Sequence, residues 1–188
     1  MDVSLTPSLW RTCRALANMN RLRLFCAMID KPPQTVCSLA RSCGLSDSHA
    51  SQFLRQLNAR GLCAVMRKSR WVFYHIEADP KVRHAHTIVQ ALVPALRGDT
   101  PQSHQDAFAA LTAYTHPRRI AIVYALASCK SIRCAELCSL CAISGAAMER
   151  HLGKLERRGI VAARDDVISL ARPVSSLART LLAIATER

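Results

Sequence analysis

The sequence is poor in aromatic side chains, at 5% of residues, so its cores must be built from Leu, Ala, Ile and Val, a mixture that favours helices. It has only 13 acidic residues and no evident paired carboxylates. It also lacks a glycine-rich phosphate loop and a His-Glu-x-x-His helix, so no catalytic constellation stands out and no enzyme or cofactor is expected. Long hydrophobic runs are missing too. The stretch from Ile120 to Cys129 falls well short of the ~20 residues a membrane span needs. The N-terminus has no basic region leading into an apolar one, so no signal peptide is expected and the protein is placed in the cytoplasm.

What is present points one way. Lys and Arg number 26, giving a formal charge of +13 over 188 residues, which suits a polyanionic partner such as nucleic acid. Half the residues are hydrophobic, too many for a disordered chain. The nine cysteines are odd in number and irregularly spaced, as reduced thiols are and disulfide frameworks are not.

Shifted by 98 positions, the sequence overlays itself without a gap from about residue 13 to 66. Ala15 meets Ala113, Arg21 meets Arg119, Cys43 meets Cys141, Ser46 meets Ser144, and Leu54 and Leu57 meet Leu152 and Leu155. Arg60-Gly61 meets Arg158-Gly159. Two copies of one supersecondary unit are the simplest account. The expected division is 1–97, a linker at 98–103, and 104–188.

In the first copy, Thr6-Pro7 is expected to cap a helix running to Ala17. Further helices are expected at 20–29, at 35–42 with Gly44 closing it, and at 47–60 with Ser46 as cap and Gly61 as stop. A strand at 62–66, a polar turn at 67–70 and a strand at 71–76 follow. A long helix is expected from Asp79-Pro80 to Leu96, with Pro94 near its end. The second copy predicts helices near 104–115, 117–128, 132–140 and 145–158, a hairpin at 160–170, and a last helix from Pro173. The fold class is therefore mainly α with small β-hairpins, as two tandem winged helix-turn-helix units.

Specific segments carry a family likeness. Leu16-Ala17-Asn18-Met19-Asn20-Arg21-Leu22-Arg23-Leu24 and Val36-Cys37-Ser38-Leu39-Ala40 resemble the opening segments of the ArsR family of bacterial repressors. Residues 45–57 with Ala59-Arg60-Gly61-Leu62 are similar to its recognition helix, and Arg70-Trp71-Val72-Phe73-Tyr74 to its wing strand. The second copy matches weakly, through His116-Pro117-Arg118-Arg119-Ile120 and His151-Leu152, and its wing does not. The resemblance implies a cytoplasmic repressor that reads duplex DNA as a dimer through its first and last helices. A fused pair would meet that contact internally, as a pseudo-dimer, and could also form a homodimer.

On helix 47–60, Ser48, His49, Ser51, Gln52 and Arg55 are free of packing duty and offer hydrogen bonds to base edges and phosphates. Arg67, Lys68 and Arg70 form a basic wing tip. The second copy has Gly145-Ala146-Ala147-Met148-Glu149 on the equivalent face and Arg164-Asp165-Asp166 at the hairpin tip. Arg150 and Lys154 remain as weaker DNA-binding candidates, and the first copy is expected to do most of the reading.

No metal site is expected. Cys134, Cys138 and Cys141 share a helix face and are the nearest thing to a thiolate set, but they align with Val36, Ala40 and Cys43 as core positions. Cys37 matches one cysteine of the ArsR family's metal motif, and Thr35 replaces the other. His84 and His86, two apart on the long helix, read as surface residues. The competing functions are a winged-helix interaction scaffold without specific DNA binding, and a cysteine-based metal or thiol sensor.

Overall fold

A computed structural model describes residues 9–187. The helix cap expected at Thr6-Pro7 lies outside them. The first half runs α1 (Leu9–Leu16), α2 (Met19–Ala27), β1 (Gln34–Thr35), α3 (Val36–Cys43), α4 (Asp47–Asn58), β2 (Ala64–Lys68), β3 (Trp71–His75) and α5 (Ala85–Leu96). The second half repeats that order: α6 (Pro101–Ala113), α7 (Pro117–Cys129), β4 (Ser131–Arg133), α8 (Cys134–Cys141), α9 (Gly145–Glu156), β5 (Val161–Arg164), β6 (Val167–Leu170) and α10 (Ser176–Thr186).

Local chemistry sets the helix ends. Asn18, Thr35 and Ser46 each cap a helix by accepting a hydrogen bond from the backbone N–H three residues on. Gly44 closes α3 at φ 65°, and the Leu45 N–H reaches back to the Ala40 carbonyl at 2.9 Å. Inside α4, Ala50, Leu54 and Leu57 are fully buried, and each leucine contributes about 2 kcal/mol by leaving water.

Each half carries a three-stranded antiparallel sheet, ordered β1-β3-β2 and β4-β6-β5. The short strands β1 and β4 were not expected. Gln34-Thr35 and Ser131-Ile132-Arg133 are too short and too polar to show a period of two. Strand β2 also runs two residues further than expected, so Arg67 and Lys68 lie on the strand and the turn is Ser69-Arg70.

Three helix starts differ from expectation. Helix α5 begins at Ala85 rather than beside Pro80, because the chain turns through 80–84 and His84 takes φ 63°. Helix α10 begins at Ser176 rather than at Pro173, because the Ser175 hydroxyl accepts from the Ala178 N–H at 3.0 Å. Helix α6 begins at Pro101, inside the stretch read as a linker, because Thr100 and Ser103 form a reciprocal capping box around it.

The halves share surface. Helix α1 packs on α6, α5 on α10, and α6 also meets α2, α5 and α10. The buried apolar residues form one cluster from Leu9 to Ala185.

Candidate nucleic-acid interface

The helix-turn-helix is the α3–α4 pair. Its turn, Gly44-Leu45-Ser46, buries Leu45 only partly and leaves Ser46 at the head of α4. From that head, Asp47, Ser48, His49, Gln52 and Arg55 are exposed, and Ser51 is half-buried. Two of these side chains are held. The His49 Nδ1 lies 3.1 Å from the Ser46 hydroxyl and its ring stacks on Phe53 at 6.2 Å. The Arg55 Nε donates to the Ser51 carbonyl at 3.3 Å. Ser48 and Gln52 are exposed on the same helix. Phe53 is half-buried against the core and lies under the Arg21 guanidinium at 5.4 Å.

The wing is the β2–β3 hairpin, with Lys68 paired to Trp71 across the turn. Arg67, Lys68 and Arg70 are all exposed, and the Arg70 guanidinium sits 5.3 Å above the Trp71 ring. Wing and helix meet electrostatically at Tyr74. Burial pushes the Tyr74 phenol above its usual range, while Arg55 of α4 and Arg67 of the wing both pull it back.

A second feature positions α4. Arg21 of α2 donates to the carbonyls of Ala15 and Arg14 at the end of α1 and to the Gln56 Oε1 of α4 at 2.7 Å. The α1 carbonyls would otherwise lack partners. In the second half Arg119 repeats the carbonyl contacts, donating to the Ala113 carbonyl at 2.7 Å and to the Thr112 carbonyl at 3.0 Å, and donates to the Thr115 hydroxyl rather than to α9. Burial holds both guanidiniums below their usual range. The 98-residue shift pairs Arg21 with Arg119, but no local pattern shows which carbonyls either would hold.

The second half differs on the corresponding helix and hairpin tip. On α9, Gly145, Ala146, Glu149, Arg150 and Lys154 are exposed. Arg150 and Lys154 are therefore accessible, with Glu149 beside them. At the β5–β6 tip, Asp165 and Asp166 both take positive φ, 48° and 65°. A two-residue hairpin turn of that type demands it, and Asp tolerates the conformation better than most residues.

The thiols are placed as follows. All nine cysteines are free. Cys134, Cys138 and Cys141 are half-buried against the core, as expected, and their sulfurs do not all lie within 4.8 Å of one another. They are not gathered as a three-ligand set. His86 is exposed, but His84 is largely buried outside the helix, with its Nδ1 3.6 Å from the Glu187 carboxylate, and burial lowers its pKa. It is not the surface residue expected.

A family comparison bears on this geometry. Residues 18–64 match the model for bacterial regulatory proteins of the arsR family. That segment is similar to the helix-turn-helix domain of this family. The matched segment spans α2, β1, α3 and α4 and ends on the first residue of β2, about a quarter of the chain. A domain of this family supports a DNA-binding regulator of transcription rather than an enzyme. No curated protein and no solved structure matches the chain. No helix among the described residues is long and apolar enough to cross a membrane.

Proposed function

We propose that the chain is a cytoplasmic repressor that reads duplex DNA with Ser48, His49, Ser51, Gln52 and Arg55 of α4 and grips phosphate with Arg67, Lys68 and Arg70 of the wing. The observation that carries this reading is the polar, exposed face of α4 beside a basic hairpin, within an arsR-family domain. A helix of this kind enters the major groove by its N-terminal half, where Ser48 and Gln52 stand. Gln bonds well to adenine, and Arg to guanine or phosphate.

The two halves, 1–97 and 104–188, are in this reading tandem winged units derived from one. The packing of α1 on α6 and α5 on α10 supports an internal pseudo-dimer, because first and last helices meet first and last helices. The second unit serves pairing and non-specific phosphate contact, through Arg150 and Lys154 with Arg157 and Arg158 nearby. Its acidic tip opposes closer approach.

Binding to random duplex DNA at several salt concentrations tests the reading. The full chain binds, and log affinity falls steeply with log salt. Replacing Arg67, Lys68 and Arg70 with Ser lowers that slope by about 3, roughly one per phosphate contact. Replacing Gln52 with Ala costs about 1–3 kcal/mol on the preferred sequence and little on others. Absence of salt-dependent binding refutes DNA reading and leaves the interaction scaffold. Equal losses from charge reversal at 67–70 and at 164–166 refute the asymmetry.

A further inference from the structure

We propose that Cys26, Asp99 and His104 form a binding site for one zinc-type divalent metal ion, set where the two halves of the chain join. Among the described residues these three are the only group of His, Cys and acidic side chains whose donor atoms all lie within 4.8 Å of one another. They come from three places: Cys26 from α2, Asp99 from the connection after α5, and His104 from the first turns of α6. The Cys26 Sγ and the His104 Nε2 each lie 3.2 Å from the Asp99 Oδ1. Ligands around a tetrahedral zinc ion, with bonds of about 2.0–2.3 Å, stand about 3.3–3.5 Å apart. The spacing is close to that of a ligand set.

The second observation is His104 itself. It is 6% exposed, and its Nε2 has no hydrogen-bond partner despite the nearby carboxylate. A buried imidazole nitrogen with no partner is costly in a neutral core. It stands within 4.8 Å of a thiol and a carboxylate, and a metal ion held by all three would give it the partner it lacks. A nitrogen, sulfur and oxygen donor set suits zinc and its late first-row neighbours rather than calcium or magnesium. The site opens on a cleft of about 510 Å³ that is also lined by Cys43, Arg23 and Lys31. A water from this cleft can complete four-fold coordination.

On binding, the metal–sulfur bond forms as the Cys26 S–H proton leaves to solvent, and the thiolate and carboxylate then balance the 2+ charge. The ion would tie α2 of the first half to α6 of the second. The proposal does not depend on what α4 touches.

Cobalt(II) chloride titrated into the reduced, chelator-stripped full chain tests it. One ion per chain should bind, with thiolate-to-cobalt absorption in the near ultraviolet and strong visible bands of tetrahedral cobalt, both abolished by added zinc. The Tm should rise with bound metal. Cys26→Ser and His104→Gln should lose the thiolate band and the visible bands respectively. Each should weaken binding by more than the ~10–100-fold carried by outer-shell partners. Asp99 is exposed, so Asp99→Asn keeps the fold and tests the site even where the buried variants unfold; it too should weaken binding. Cys37→Ser and Cys138→Ser should bind as wild type. The proposal is overturned by absence of saturable one-to-one binding, by Asp99→Asn at wild-type affinity, or by loss of the thiolate band in Cys138→Ser with Cys26→Ser intact.

Discussion

Two residues of the second half show what single side chains contribute. Tyr114 is fully buried and its hydroxyl has no hydrogen-bond partner among the described residues. Leaving such a group unpaired costs about 1–3 kcal/mol, so Tyr114→Phe should stabilise the chain by about 1 kcal/mol in urea unfolding. His151 of α9 lies 4.8 Å, ring to ring, from His116 at the cap of α7. Burial, then the neighbouring cations Arg118, Arg119 and Lys154, hold both imidazoles below their ordinary value of 6.5. His116 adds to the effect on His151, as does Arg14 to that on His116. The unfolded chain therefore takes up protons near 6.5 that the folded chain refuses until the pH is lower. Stability is at its full value above that point and falls as the pH drops through the window just beneath it. The Tm measured from about pH 7.5 to about pH 5 should fall, and His151→Phe, which installs the residue found at position 53, should flatten the fall.

The same elements are better finished in one half than in the other. Helix α3 has Thr35 as a bonded cap and Gly44 as its left-handed stop. Helix α8 has Arg133 without a cap bond and Ala142 at φ 51°. Helix α4 is capped by the Ser46 side chain, whereas Ser144 makes no such bond to α9. A left-handed non-glycine residue costs roughly 1 kcal/mol. Ala142→Gly should therefore stabilise by roughly that amount, and Gly44→Ala, where an added Cβ meets nothing within 4 Å, should destabilise by a similar one. Equal and opposite shifts in urea midpoint would establish the equivalence of the two turns; a neutral Gly44→Ala would deny it.

For the whole molecule, the joint between halves matters most. Ile88, Leu92 and Leu96 of α5 are buried, on a helix that packs against α10 and α6. A fragment of residues 1–97 would bare that surface to water. It should self-associate, as a dimer or larger, in sedimentation at micromolar concentration, while the full chain stays smaller per copy of the unit. A strictly monomeric, well-folded fragment would mean that α5 can satisfy itself without the second half.

Helix and turn chemistry are local, so the sequence by itself determined most elements, their order and their repetition at 98 residues. Ser46, Gly44 and the set Ser48, His49, Gln52 and Arg55 could be read as cap, stop and exposed face, because those roles depend on neighbours a few positions away. Tertiary structure decided the rest. The third strands β1 and β4 exist only because β3 and β6 offer them a free edge. The Arg21 clamp to Gln56 spans 35 residues, and the meeting of Cys26 with Asp99 spans 73. No local pattern carries contacts that long; they form when the packing of α2 on α4 and on α6 fixes which side chains face one another.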